Sequence, residues 1–302
     1  MEYFFGIDIG GTNVKIGLVD SEKGLLDKIK YPSGDVSSNG KFINNFSTIL
    51  GKEFEKHPEV RKVGIGVPGT ISKDGRETLE IPNLQELSHT AVLDILEKDH
   101  PGKEFVIEND ANAAALGEYY FGEEKLPENY IFITLGTGVG GAAIINKKVF
   151  KGGDGNSMEI GHILSKSGKE LEAIIGKNGL LDLFNKIVKS SKSGSTSLKK
   201  MDEWNTKTLV KAADNKDKAA IKTFKKVGSL LGEAMVTTIR ILDIKTVIVG
   251  GGLSASYDIV YKPMIKVMNK KLTPYYTQNL MVMKANLGNN AGILGAASLC
   301  FK

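Results

Sequence analysis

The stretch GIDIGGTN, residues Gly6 to Asn13, decides the fold that this sequence predicts. It begins as a short apolar run around Asp8, and so brief a run ending in glycines is typical of a buried strand. The alternating residues 14–20 that follow predict a second strand, so the glycines form the tip of a hairpin. In a Rossmann turn or a Walker loop, by contrast, the glycines lead into a helix. Backbone N–H groups at such a tip form a concave anion site, and Asp8 is placed to hold a metal ion near that anion.

The same pattern recurs in the middle of the chain. Tyr130 to Leu135 is a second apolar run, and it leads through Gly136, Thr137 and Gly138 into another predicted strand. Either motif alone is equally compatible with an ordinary glycine-rich hairpin. Two copies indicate an internal duplication, in which two similar halves hold one polyphosphate between their loops. The match of the second loop to G-x-G-x-x-G carries little weight, because a strand and not a helix follows it.

Length and composition limit the class of protein. The 302 residues allow two domains, and 41% hydrophobic with 25% charged residues is ordinary for a globular protein. No apolar run approaches the roughly 20 residues that span a bilayer, so we expect no membrane segment. The single cysteine, Cys300, excludes an internal disulfide and a cysteine zinc cluster, which favours a cytoplasmic setting. A net charge of +5 suits an anionic nucleotide but is weak evidence for nucleic acid binding.

Two further stretches carry polar or glycine residues directly after predicted strands. Glu108, Asn109 and Asp110 follow a short apolar strand, and ligands gather at the carboxyl ends of strands in open α/β sheets. An alanine-rich helix comes next, so helix capping by Asn109 or Asp110 is an equally acceptable explanation. The three glycines 250–252 lie between a strand and a helix, where bare backbone would accommodate a nucleoside ring. Residues 290–301 predict an amphipathic helix that crosses back onto the first half.

The motifs together resemble a known family. DIGGTN-x-K, GVPG, PNL, ENDANAAALGE, TLGTGVGG, GGDGNSMEIGH, GGGLS and AGILGAA occur in the order and spacing of the ROK family of sugar kinases, whose members include bacterial glucokinases. The resemblance covers almost the whole chain. It implies the actin-like ATPase or sugar-kinase fold, with two duplicated α/β lobes around a cleft. We expect the smaller N-terminal lobe to comprise residues 1–110 and 290–302, and the larger lobe residues 111–289.

The resemblance also implies roles for individual residues. Asp110 matches the family's catalytic base. The positions matching the sugar pocket, Asp110 among them, are Gly69, Asn83, Asn109, Asp110, Glu159, His162 and Glu172. The positions matching the ATP site are Asp8, Gly10, Gly11, Thr12, Asn13, Lys15, Gly136, Thr137, Gly138, Gly250, Gly251, Gly252 and Leu253. Asp8 would hold the Mg²⁺ that accompanies ATP, either directly or through water. Family members are commonly dimers, so we expect a homodimer.

One departure from the family concerns zinc. The family's cysteine-rich loop after EIGH, in which the histidine also binds metal, is replaced by a shorter connection without cysteine, residues 163–171. We therefore expect no structural zinc, and His162 should act only through hydrogen bonds. Glu172 matches the next sugar carboxylate of the family, but Glu170 is a competitor because the shortened loop leaves the alignment open. An exposed acid at a helix start is the structural alternative for Glu172.

The expected function is therefore an ATP-dependent hexose kinase, most simply a glucose kinase making glucose 6-phosphate. Other hexoses handled within the family stay open: N-acetylated hexosamines such as N-acetylmannosamine, mannose, fructose, allose and β-glucosides. A ROK-type transcriptional repressor is less favoured, because those proteins carry a helix-turn-helix domain before the first glycine loop, and only three residues precede Phe4 here. The segment Lys189 to Asn205, rich in serine and lysine, is expected to be a mobile connection.

Overall fold

The structure is a computed structural model that describes residues 2–190, 196–198, 204–252 and 257–301. The chain divides into two compact units. The first contains Met1–Glu128, Ala142–Ser157 and Asn286–Lys302, and the second contains Asn129–Gly141 and Met158–Ala285. The domain boundaries expected from the sequence, at residues 110 and 290, both lie within the first unit. Most of the expected mobile connection, residues 191–195 and 199–203, lies outside the described residues.

The first sheet carries the motif GIDIGGTN, residues Gly6 to Asn13. Its five strands have the order β3-β2-β1-β4-β5, and their bounds are β1 (Tyr3–Ile9), β2 (Asn13–Asp20), β3 (Gly24–Pro32), β4 (Lys62–Val67) and β5 (Glu104–Asn109). The strands β1, β2 and β3 are antiparallel neighbours, whereas β1, β4 and β5 run parallel. Because the carboxyl ends of parallel strands meet at one edge of a sheet, residues 10–12, 68–69 and 110 follow strands at the same edge.

The second sheet repeats this arrangement. Its order is β10-β9-β6-β7-β8, with bounds β6 (Tyr130–Leu135), β7 (Val139–Ile145), β8 (Lys148–Val149), β9 (Thr246–Gly250) and β10 (Met281–Lys284). Here β6, β9 and β10 run parallel, and β7 pairs antiparallel with β8. Each strand corresponds in order to one of the first sheet, from β8 matching β3 to β10 matching β5. The predicted duplication is therefore confirmed at the level of sheet topology.

Helices cover the sheets, and one of them buries an apolar stripe against the first sheet. The helices are α1 (Ser33–Val36), α2 (Phe42–Lys56), α3 (Val92–Asp99), α4 (Asp110–Phe121), α5 (Glu172–Ile175), α6 (Lys177–Ser190), α7 (Thr206–Asp214), α8 (Lys218–Leu242), α9 (Tyr257–Lys271), α10 (Pro274–Thr277) and α11 (Ala291–Ser298). On α2, an apolar stripe at helical spacing is buried against β1, β4 and β5: Phe42, Phe46, Leu50 and Phe54. No helix in the described ranges is long and apolar enough to cross a bilayer.

The last helix differs from its expected character. Instead of being amphipathic, α11 is buried continuously from Ile293 to Ser298. Gly6 on β1 and Gly64 on β4 lie beneath it, and a Cβ atom on either would collide with a carbonyl group of the helix. Gly295 lies equally close to the backbone of α4. These glycines let α11 pack backbone to backbone, so it has no face left for solvent.

Candidate active site

The first glycine loop, Gly10 to Thr12, is held by a serine that the sequence analysis did not single out. The hydroxyl of Ser33 donates to the Gly10 carbonyl at 2.6 Å, and its N–H donates to the Thr12 carbonyl at 3.0 Å. Within the loop, the Gly10 N–H donates to the Asn13 carbonyl at 2.9 Å. The N–H groups of Gly11 and Thr12 make no hydrogen bond to any described residue. The loop therefore offers two backbone donors at a fixed turn, which suits a phosphate oxygen.

Asp8 lies on β1 immediately before this loop. One carboxylate oxygen, Oδ2, pairs with Lys15 Nζ on β2 at 2.6 Å. The other, Oδ1, has no partner among the described residues. Gly292 of α11 lies against the carboxylate, since a Cβ atom there would approach Asp8 Cγ to 2.7 Å. The remaining oxygen fits a role as an acceptor for Mg²⁺ or its water, and Lys15 adds a positive charge beside the phosphate loop.

Asn109 and Asp110 stand where β5 passes into α4. Asn109 is the helix cap, because its Oδ1 accepts from the N–H groups of Ala111 and Asn112 at 2.9 and 3.3 Å. Its amide Nδ2 donates to the Gly69 carbonyl at 3.1 Å, which joins the ends of β4 and β5. Asp110 Oδ1 accepts from the Ala111 N–H at 2.8 Å. Asn109 is thus the residue that caps α4, and the Asp110 carboxylate shares one of these donors, the Ala111 N–H.

A buried carboxylate paired with an exposed lysine lies directly beside these two residues. Glu108 is 4% exposed, and its Oε1 accepts from the Asn109 N–H at 3.0 Å and from Asn112 Nδ2 at 3.1 Å. Its Oε2 pairs with Lys151 Nζ at 2.8 Å. A buried carboxylate needs both a counter-charge and hydrogen bonds, and Glu108 has them. Glu108 therefore ties the loop that begins at Lys151 to the end of β5.

Two further loops of the first unit reach this edge. Asn156 bonds the backbone of Ile71 on both sides, accepting from its N–H and donating to its carbonyl, each at 2.9 Å. Asn83 lies against the first glycine loop, since a Cβ atom on Gly11 would approach its Cβ to 2.8 Å. In the first unit the structure therefore connects Gly69 to Asn109, the neighbour of Asp110, and brings Asn83 to the first glycine loop.

The second glycine loop is held by Glu172. Within the loop, the Gly136 N–H donates to the Gly138 carbonyl at 2.9 Å. Glu172 Oε2 accepts from the N–H of Val139 at 2.8 Å, and a Cβ atom on Gly138 would collide with that carboxylate. Glu172 is the first residue of α5 and is half-buried. The carboxylate that the sequence assigned to the sugar thus also contacts the loop assigned to phosphate.

His162 lies between two other carboxylates of the second unit. Its Nδ1 lies 3.1 Å from Glu170 Oε2, and its Nε2 lies 3.8 Å from Glu159 Oε2. The hydrogen bond to Glu170 is the main cause that raises the pKa of His162, and the charges of Glu159 and Glu172 add to it. Partial burial, and next the nearby Glu172 charge, raise the pKa of Glu159, although the charge of His162 opposes them. The competitor Glu170 is therefore engaged with His162, while Glu172 is engaged with the glycine loop.

The triple glycine lies beside the strand that feeds the second glycine loop. β6 and β9 are parallel neighbours in which Thr134 pairs with Gly250. Gly251 has φ +85°, and a Cβ atom there would lie 2.6 Å from the Leu135 nitrogen and 2.7 Å from the Thr134 hydroxyl. Only glycine fits a turn so close to another backbone. The expected nucleotide residue Leu253 lies outside the described residues.

Comparison with known proteins identifies the family. The model of the ROK family matches residues 4–302. This chain belongs to the ROK family. A glucokinase from Thermotoga maritima is 30% identical over 97% of the chain and 96% of its own length, and an N-acetyl-D-glucosamine kinase from Histophilus somni is 27% identical over 98% of both. The structure of a ROK family glucokinase from Streptomyces griseus, in complex with glucose and AMPPNP, is 30% identical, with a TM-score of 0.82 over 98% of both chains.

Membership of the family defines the fold of this chain. It also makes one difference visible, the missing zinc-binding cysteine motif. The two mixed α/β sheets with their helices form the actin-like ATPase fold of the ROK sugar kinases. The chain lacks the zinc-binding cysteine motif, since Cys300 is its only cysteine and is buried beside α11. Within the described ranges, no three histidine, cysteine or acidic side chains form a group that could hold a metal ion.

Some residues of the site escaped the sequence analysis. Ser33, Lys151 and Asn156 each act on a loop that is distant along the chain, so no local pattern marks them. Asn156 does occur within the quoted motif GGDGNSMEIGH. Its presence in that motif was the one available signal, but it gave no partner.

Proposed function

We propose that this ROK protein is an ATP-dependent hexose kinase that transfers the γ-phosphoryl group of ATP to a sugar hydroxyl, with glucose 6-phosphate as the leading product. One observation carries most of the weight. The same strand–glycine loop–strand unit begins both sheets, and Asp110 follows a parallel strand at the loop-bearing edge of the first. Two anion-binding turns and a carboxylate at a strand end are the parts that transfer of a phosphoryl group requires.

Asp110 is the proposed general base. A carboxylate within hydrogen-bond reach of the sugar hydroxyl takes its proton as the phosphoryl group leaves ADP. The transition state of phosphoryl transfer asks for little covalent work from the protein, so alignment and charge stabilisation supply most of the rate. The capping of α4 by Asn109 and its bond to Gly69 hold the Asp110 backbone in a fixed position for this task.

Fixed hydrogen-bonding groups provide the proposed sugar contacts. Sugar hydroxyls both donate and accept, so amide, carboxylate and imidazole groups in set directions distinguish one epimer from another. The proposed ligands are Gly69, Asn83, Asn109, Glu159, His162 and Glu172. Glucose leads because Glu159, His162 and Glu172 are all present; N-acetylated hexosamines, mannose, fructose, allose and β-glucosides are the alternatives.

The glycine loops are the proposed contacts of the nucleotide. Gly10, Gly11 and Thr12 supply unused backbone donors, and Gly136, Thr137 and Gly138 form the corresponding turn. Bare backbone at residues 250–252 is the proposed place of the adenosine. Asp8 and Asn13, with Lys15, are assigned to the phosphates and their metal ion. Magnesium bound with ATP would neutralise phosphate charge.

A panel of hexoses tests the proposal. The purified protein is incubated with Mg-ATP and one sugar at a time, and the release of ADP is followed by a coupled assay. We expect glucose to give the highest kcat/KM, while a preference for another hexose would move the proposal to that substrate. No sugar-dependent ADP release from any hexose would contradict it. A DNA shift at low salt with no ADP release would favour the repressor class instead.

We further propose that the protein is a cytoplasmic homodimer. The family resemblance supports the dimer, and the single buried cysteine suits a reducing compartment. Light scattering after size-exclusion chromatography measures the mass directly. A mass equal to that of one 32.6 kDa chain at micromolar concentration would refute the dimer.

A further inference from the structure

His162 and Glu170 stand at the open end of a short hairpin. The Leu171 N–H donates to the Ile163 carbonyl at 2.9 Å, and the Ser165 N–H donates to the Lys169 carbonyl at 2.8 Å. Leu164 and Glu170 form an isolated antiparallel bridge. The backbone thus fixes the separation of residues 162 and 170. The connection of residues 163–171 is short and closed by its own backbone hydrogen bonds. It therefore holds His162 and Glu170 next to each other.

The contacts of the imidazole are directional. Nδ1 meets Glu170 at 3.1 Å, which is hydrogen-bond distance, whereas Nε2 is 3.8 Å from Glu159, which is too long for a hydrogen bond. Nε2 is therefore the ring nitrogen left for a ligand. The side chain of His162 is 57% exposed and that of Glu170 is 50% exposed, so packing alone does not fix the ring.

We propose that Glu170 is a positioning residue that accepts the Nδ1 proton of His162, fixes the ring, and leaves Nε2 as the atom that meets the sugar. The proposal rests on the function proposed above and extends it. A histidine whose second nitrogen is held by a carboxylate has a defined tautomer and orientation, as do the histidines of metal sites with their carboxylate partners. Here that carboxylate lies in the loop that replaces the family's cysteine motif.

The charge on His162 follows from the same arrangement. The groups facing it are Glu170 on the hairpin, Glu159 three residues earlier, and Glu172 on α5. All three are acidic and favour the imidazolium, although partial burial opposes it. In the protonated form both nitrogens donate, so the sugar hydroxyl at Nε2 must accept. That hydroxyl is then free to donate to a carboxylate, which defines the direction of the hydrogen bonds at this position.

Nuclear magnetic resonance of the imidazole nitrogens tests the proposal without any substrate. The wild-type protein, Glu170→Gln and Glu170→Ala are titrated from pH 5 to 9, with His162→Gln to assign the signal. We expect neutral His162 to carry its proton on Nδ1 in the wild type. The Gln variant keeps an acceptor oxygen, so it should retain this tautomer while the pKa of His162 falls, because the negative charge beside the ring is gone. The Ala variant has no acceptor at this position, so it should lose both the Nδ1-protonated tautomer and the raised pKa.

Sugar kinetics provide the second readout. Glu170→Ala should raise the KM for the sugar about 3- to 10-fold, the worth of one hydrogen bond, with kcat within about twofold. Lys169→Ala is the matched control, because its exposed side chain makes no hydrogen bond or ion pair with a described residue, and it should leave both parameters unchanged. Glu170→Gln should lose sugar affinity at a lower pH than the wild type, since its imidazolium loses its proton earlier.

Three results would overturn the proposal: a neutral wild-type His162 protonated on Nε2, an unchanged pKa and tautomer in Glu170→Ala, or a loss of kcat alone. A protein with no sugar-dependent turnover refutes the proposed function instead. In that case the nuclear magnetic resonance titration still decides whether Glu170 holds the ring.

Discussion

Glu172 and Gly138 provide a sharp test of how the second glycine loop is held. Glu172 Oε2 accepts from the Val139 N–H at 2.8 Å, and Val139 is buried. A hydrogen bond to a charged group contributes about 1.5–3 kcal/mol, and the half-buried carboxylate puts this one near the lower value. Glu172→Ala should therefore lower the free energy of unfolding by about 1.5 kcal/mol. The loosened loop should raise the KM for ATP as well as that for the sugar.

Gly138→Ala should have the same effect by another route. Its Cβ would occupy the position of the Glu172 carboxylate, so the carboxylate must leave Val139. The two changes remove one shared interaction, so Glu172→Ala combined with Gly138→Ala should be no less stable than Glu172→Ala alone. Gly136→Ala is the control for stability, because no atom lies within 4 Å of its added Cβ.

Urea unfolding of the four variants, read by circular dichroism, gives the free energies. If the losses of unfolding free energy in Glu172→Ala and Gly138→Ala add up in the double variant, the two residues do not share one interaction. A loss below about 0.5 kcal/mol in Glu172→Ala would show that the bond to Val139 does not hold the loop, since surface substitutions alone stay within that range. A rise in the KM for the sugar with an unchanged KM for ATP would limit Glu172 to the sugar pocket.

Three further predictions concern the first unit. Ser33→Ala should lower the free energy of unfolding by about 1–2 kcal/mol and raise the KM for ATP, because the Gly10 carbonyl loses its hydrogen-bond partner. Urea unfolding and kinetics measure the two effects, and unchanged values would contradict the prediction. Lys151→Met should lower the free energy of unfolding by about 1–2 kcal/mol because buried Glu108 loses its counter-charge, whereas Lys148→Met, at an exposed lysine, should not. Equal melting temperatures of the two variants would refute this. Burial raises the pKa of Cys300 to about 12, so a thiol reagent at pH 8 should label only unfolded protein, and rapid native labelling would disprove it.

The sequence predicted the duplicated hairpins because their signals are local. Apolar runs that end in glycines and continue as strands are visible within about ten residues, as in Gly6–Asn13 and Tyr130–Leu135. Helix capping beside Asp110 was also visible, although only the structure separated the roles of its two candidates. Asn109 makes both cap bonds and reaches Gly69, which no spacing along the chain could indicate.

Features that depend on packing were not predictable in this way. The helix α11 was expected to be amphipathic and is buried on all sides, because glycines from β1, β4 and α4 meet its backbone from positions far apart in the sequence. Likewise, the helical segment that follows Leu171 is two helices, α5 and α6, separated at Gly176. The contact of Glu172 with the glycine loop depends on that break, and no local pattern predicted it.

The measurement closest to the central claim follows the phosphoryl group itself. Phosphorus nuclear magnetic resonance of a mixture of protein, Mg-ATP and glucose should show a sugar phosphate appearing as the γ-phosphate signal disappears. Asp110→Asn should abolish this transfer while calorimetry still detects glucose binding. Equal rates of transfer in the variant and the wild type would contradict the assignment of Asp110 as the base, and the absence of any sugar phosphate in the wild type with all hexoses would contradict the kinase itself.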